Sequence, residues 1–249
     1  MNSISWILYL ASSCVFPLLV GFFYKHRFGA RWRTFVCGIV VYAAAVASQI
    51  LFILVLRLFI VSDFASVTGR LRFEKILNAI SSGVFEEVAR YIGFGWFFAP
   101  EQLNLPLALM YGTGHSWLES FLLAAGFLER RISREQKGIA VLAISSSGLL
   151  LSAVARLCSL AAHTFLSVVV EQARKPNQKI WLLYAICYHS LADVTCVLVL
   201  WITGKFAWVV LIQVAWASAS VYLLFKICSR AGLWRDLKRE ETVAVREMS

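Results

Sequence analysis

Apolar runs of about 20 residues recur along this chain, each long enough for an α-helix to cross a hydrocarbon core of about 30 Å. Their limits predict spans near 4–24, 35–61, 76–98, 106–128, 180–203 and 206–227, with a charged tail over 229–249. The first run has no basic segment before it and is followed at once by KHRFGARWR, as in a retained helix rather than a cleaved signal. The stretch 138–172 is ambiguous: as one helix it would run about 52 Å, yet it is tight for two crossings. Ser145-Ser146-Ser147-Gly148 offers a break within it.

The distribution of Lys and Arg bears on that choice, because short cytoplasmic loops are enriched in both. Two crossings give eight spans with both termini inside, and leave only Lys25, Arg27, Arg31, Arg33 and Lys205 outside. A single crossing gives seven spans with the N-terminus outside and a weaker bias. The eight-span arrangement is favoured, and both put the C-terminus in the cytoplasm. The expected fold is all-α: a polytopic transmembrane helix bundle, with residues 1–249 one integral membrane domain, since no Pro/Gly/Ser-rich linker interrupts the runs.

Composition agrees. The chain is 60% hydrophobic and 15% charged, against about 25% charged in soluble domains. A net charge of +10 could suggest nucleic acid. The basic residues cluster at span ends, however, where anionic lipid headgroups account for them, and no nucleic-acid partner is expected. The six cysteines lie in or beside apolar runs without a CxxC pair and read as packing residues.

The candidate chemistry lies in the ionisable groups inside the spans. Each costs roughly 2.5 to 3.5 kcal/mol in hydrocarbon on insertion scales, so such groups mark function by default. The third span carries Glu86-Glu87-Val88-Ala89-Arg90, with Arg90 one turn from both glutamates. One arginine neutralises only one carboxylate, which favours a functional role for the pair over an ion pair that locks helix packing. The fourth span carries Tyr111-Gly112-Thr113-Gly114-His115, then Glu119 one turn beyond the histidine. Gly112 and Gly114 would let a neighbouring backbone approach closely. Arg156 and His163 fall on roughly one face, and Arg156 should pair with Glu119 or a doubled glutamate. His189 and Asp193 form another one-turn pair, an arrangement common around metal-bound or catalytic histidines. Each pair alone could be structural; four polar helices in succession point to a shared centre. Arg57 is expected to snorkel to an interface.

In order and spacing these motifs resemble the type II CAAX-prenyl endopeptidase superfamily of intramembrane proteases. FEEVARYIGF, YGTGHSWLES, the Arg-to-His segment ending AAHTFL and YHSLADV resemble more closely the bacterial YhfC family of membrane peptidases, over roughly 16–200. The spacing EExxR, where prenyl endopeptidases usually have EExxxR, sets the chain nearer the YhfC branch; Ser116 stands where that branch usually has glycine. The resemblance implies that Glu86 activates the attacking water, supported by Glu87 and Arg90. It further implies that His115, with Tyr111 as the motif's aromatic, and His189 with Asp193 complete the catalytic set. Tyr111, Glu119, Arg156 and His163 would then be supporting groups. It implies a bacterial plasma-membrane location and a membrane-anchored peptide or protein as substrate. Zinc is the candidate cofactor, with His115, His163 and His189 as candidate ligands. Two other readings fit the same residues: a non-catalytic scaffold holding a partner's transmembrane helix, and a proton-coupled transporter. The absence of an internal repeat argues against transport.

Overall fold

The computed structural model describes residues 3–60, 67–99, 104–136 and 145–230. These form seven helices, numbered α1 to α7 in chain order: Ser3–Phe28, Trp32–Ile60, Val67–Phe97, Leu105–Gln136, Ser146–Ala173, Ile180–Thr203 and Phe206–Arg230. All except α3 and α4 are long and apolar enough to cross a membrane. Those two carry the Glu86, Glu87 and Arg90 group and the His115 and Glu119 pair, and this polar content lowers their apolarity.

The ambiguous stretch resolves as one crossing. Ser146–Ala173 is a single uninterrupted helix, which matches the seven-span alternative rather than the favoured eight. Ser145 does not break a span; it caps α5, its Oγ accepting from the Gly148 amide at 3.1 Å. Residues 137–144 lie outside the described set, as does the expected tail apart from Ser229 and Arg230, which close α7.

Local chemistry sets the other ends. Asn104 Oδ1 accepts from the Leu107 amide at 2.9 Å and caps α4. Gly29 and Gly204 end α1 and α6 in the left-handed region, at φ 67° and 63°. Helix α1 widens into a π turn over Ala11–Val15, where Ser12 and Ser13 donate back to the Tyr9 carbonyl at 2.9 and 2.8 Å. Within that turn the Cys14 carbonyl accepts the Trp117 indole N–H at 2.9 Å, tying α1 to α4. Arg57 pairs with Glu74 at 3.0 Å, linking α2 to α3.

Helix α5 is central: 67% of its most apolar stretch is buried, against 33% or less for the other four apolar helices. Apolar side chains such as Leu58, Trp96 and Ile202, each more than 80% exposed, face outward, as suits lipid. Small residues bring the backbones together. A Cβ on Gly114 would lie 2.0 Å from the Phe35 carbonyl oxygen of α2, and one on Gly112 would lie 2.6 Å from that of His163 on α5. Gly114→Ala therefore forces two backbones apart and should cost about 1 to 3 kcal/mol, as overpacking does. Gly126→Ala, on the same helix with open space around it, should instead be neutral or stabilise by up to about 1 kcal/mol. Thermal unfolding of the two purified variants separates these outcomes; equal melting temperatures would refute the close-packing argument.

Candidate active site

Four helices bring the polar residues together below the outer apolar faces. Glu87, Arg90 and His115 are fully buried, and Glu86, His163 and His189 are 6 to 7% exposed. Buried charges persist only when paired and hydrogen-bonded, and here the pairing runs mostly between helices. Arg90 is the hub on α3. One guanidinium nitrogen donates to Glu87 Oε2 at 2.5 Å, and the other reaches His163 Nδ1 on α5 at 3.2 Å. Glu87 Oε1 in turn accepts from His189 Nδ1 on α6 at 2.7 Å.

From His163 the contacts continue outward. Its Nε2 lies 2.8 Å from Glu119 Oε2, and Arg156 donates to Glu119 Oε1 at 3.0 Å. Ser159 also donates to Glu119 Oε2, at 2.6 Å. His189, Glu87, Arg90, His163, Glu119 and Arg156 thus form one connected chain of six ionisable side chains. Glu86 stands beside it: Ser82 donates to its Oε1 at 2.8 Å and His115 Nε2 lies 2.9 Å from its Oε2.

These partners fix the imidazole tautomers. A guanidinium only donates, so His163 Nδ1 accepts and its proton sits on Nε2, directed at Glu119. Both of its nitrogens are engaged. His189 donates from Nδ1 to Glu87, leaving Nε2 turned toward Glu86 Oε2 and Asp193 Oδ2, at 3.9 and 3.7 Å. His115 donates from Nε2 to Glu86, and its buried Nδ1 has no hydrogen-bond partner.

Several same-helix pairs expected from spacing are rewired. Glu119 holds His163 and Arg156, and the group at His115 is Glu86. The oriented nitrogen of His189 is held by Glu87, with Asp193 on its other side. Arg90 selects Glu87, three residues away, over Glu86. The pairing of Arg156 with Glu119 is found as expected, as is that of Arg90 with one of the doubled glutamates. Tyr111 stacks on Phe94, with ring centroids 4.5 Å apart, and its hydroxyl is buried without a partner.

Three contributors were not singled out in the sequence: Ser82, Ser159 and Tyr42, whose ring lies 4.6 Å from that of His115. Ser82 and Ser159 stand one turn before Glu86 and His163, so helical spacing could have shown them. Tyr42 comes from α2 and carries no such signal.

A cavity of about 390 Å³ opens onto this centre, lined by Glu86, Glu119, Arg156, His163, His189 and Asp193 among others. His115 is absent from its wall and sits behind Glu86. Glu86, His163 and His189 each offer a ligand atom, all within 4.8 Å of one another. Two imidazoles and a carboxylate are a common zinc set, and the Glu87 contact orients His189 as a supporting carboxylate does around bound metal. Charge agrees: Glu86, Glu87, Glu119 and Asp193 face Arg90 and Arg156, a formal surplus of two negative charges with neutral imidazoles. A divalent cation would balance it. The donor set therefore fits a metal, ready at Glu86 and His189, whereas His163 would have to release a present partner.

Comparison with known proteins points the same way. No curated protein and no solved structure matches the chain. The family model described as YhfC intramembrane metalloprotease matches residues 12–134 and 132–214. That covers most of the sequence and every residue of the buried centre, so this integral membrane protein belongs to the YhfC intramembrane metalloprotease family.

Proposed function

We propose that the protein hydrolyses a peptide bond of a membrane-anchored substrate, with Glu86 taking a proton from the attacking water. The observation that carries this reading is the position of Glu86. It lines the cavity and is held there by Ser82 at 2.8 Å and, from outside the cavity wall, by His115 at 2.9 Å. A base must reach the proton it removes, and a fixed carboxylate at a cavity wall can do so. His115, away from the wall, positions Glu86 rather than touching substrate. Arg156 lines the cavity and is anchored by Glu119, so its guanidinium can stabilise charge developing on the carbonyl oxygen.

His163 and His189 would hold the metal beside Glu86, and a bound ion would supply Lewis acidity that makes water a nucleophile near neutral pH. Glu87 keeps the His189 proton on Nδ1 and so keeps Nε2 available. The C-terminus lies in the cytoplasm in this reading, the N-terminus outside, and the host membrane is a bacterial plasma membrane.

The test combines metal analysis with cleavage. Protein purified in mild detergent should carry about one divalent metal per chain, and a chelator should abolish cleavage of a membrane-anchored peptide until metal is restored. His189→Ala should lose both metal and cleavage. Glu87→Gln should lower metal affinity by about 10- to 100-fold, as loss of a supporting carboxylate does. Cleavage that persists at full rate after complete metal removal would sink the metal assignment. A failure to cleave any membrane-anchored peptide with metal bound would sink the protease assignment.

A further inference from the structure

A second cavity, of about 700 Å³, lies between the C-terminal ends of α5 and α7 and the start of α6. Its floor is apolar, from Phe165, Val169, Leu223 and Ile227, with Trp181 and Tyr184 beside it. Lys175, Lys226 and Arg230 also line it, and no carboxylate does among the described residues. The polarity is graded along one axis. Lys175 lies just past the end of α5 and Arg230 ends α7, while Phe165 lies two turns inside α5.

Lys226 and Arg230 are one turn apart on the same face of α7. Neither pairs with a carboxylate among the described residues. Trp181 is fixed at the rim, its indole N–H donating to Gln178 Oε1 at 2.8 Å. An apolar groove capped by cations and aromatic rings at a helix end matches one chemistry: an acyl chain with an anionic head.

We propose that this groove binds an anionic phospholipid, its phosphate held by Lys175, Lys226 and Arg230 and an acyl chain lying along Phe165, Val169, Leu223 and Ile227. A zwitterionic lipid would leave the cationic rim unmatched, and free phosphate would leave the apolar floor unfilled. Tyr188 lines both this groove and the polar cavity. Its hydroxyl donates to the Trp216 carbonyl at 2.8 Å, so it forms a fixed wall between the two.

The test uses the full chain in nanodiscs or mild detergent. Phosphatidylglycerol and phosphatidylcholine with the same acyl chains are compared by native mass spectrometry, with inorganic phosphate as a third arm. Phosphatidylglycerol should bind more tightly. The variant Lys175→Gln/Lys226→Gln/Arg230→Gln should lose about a hundredfold of that preference, since each cation near a headgroup contributes about 1 kcal/mol. Its melting temperature in phosphatidylcholine should stay unchanged, which shows that it folds. Millimolar phosphate should not displace the lipid; displacement would make the site an anion site and overturn the proposal. So would equal binding of the two lipids, or a preference that survives the triple substitution. A photoreactive residue at Tyr184 should cross-link to lipid, and cross-linking to residues 231–249 or to a second copy of the chain would overturn it as well.

Discussion

Glu86→Gln should abolish hydrolysis while leaving the bundle folded. The amide has the shape of the carboxylate and can still accept from Ser82, so the local fold has little reason to change. It cannot take a proton from water. Loss of a positioned base costs about 10²- to 10⁴-fold in rate, and more if the metal is lost with it. The His115 contact amplifies the effect. Its Nε2–H now meets a carboxylate oxygen at 2.9 Å. Against an amide N–H the imidazole would have to move its proton to Nδ1, which is buried without a partner. An unsatisfied buried donor costs about 1 to 3 kcal/mol, so some destabilisation should accompany the loss of activity. Cleavage of a membrane-anchored peptide, measured beside bound metal and melting temperature, checks this. Cleavage within threefold of the parent would remove Glu86 from the reaction.

Arg90→Ala should be the most damaging single change to stability. The guanidinium is fully buried and serves two partners on different helices, Glu87 on α3 and His163 on α5. Removing it leaves a buried carboxylate without its counter-charge, a change that costs about 3 to 5 kcal/mol in measured cases. Arg90→Lys should not restore stability, because one ammonium does not reproduce a planar fork with separate donors for Glu87 and His163. Arg57→Ala provides the comparison. Its pair with Glu74 has the same 3.0 Å separation as that of Arg156 with Glu119, but Arg57 is half exposed and should be worth less than about 1 kcal/mol. Unfolding in mixed micelles should place Arg90→Ala far below Arg57→Ala. If the two unfold alike, the buried chain of contacts contributes nothing to stability.

Much of the architecture was legible in the sequence, because a bilayer imposes length and apolarity on each helix. The membrane class, the positions of the helices and the gathering of Glu86, His115, His163 and His189 all followed from that constraint. The number of crossings did not, since the run over 138–172 has no proline, and its charged residues, Arg156 and Glu171, lie inside the helix rather than marking where it stops. Hydrogen-bond partners were the least legible part. Helical spacing identifies only neighbours on one helix, so it offered Glu119 to His115 and Asp193 to His189. The structure joins Glu86 to His115 and Glu87 to His189 across helix interfaces. Those contacts depend on how closely backbones approach at Gly83, Gly112 and Gly114, where an added Cβ would meet Ser190, His163 and Phe35. Such distances are properties of packed pairs of helices. Arg156 and Glu119 were anticipated because an unpaired guanidinium in hydrocarbon demands a carboxylate nearby.

The connected chain from His189 through Glu87, Arg90, His163 and Glu119 to Arg156 also restricts how this protein can evolve. Lipid-facing positions can exchange one large apolar side chain for another singly, each step nearly neutral. A step at any of the six linked positions strands a charge or an imidazole on a neighbouring helix. A lineage that abandons this centre must therefore change several helices in concert, or pass through an intermediate that folds poorly.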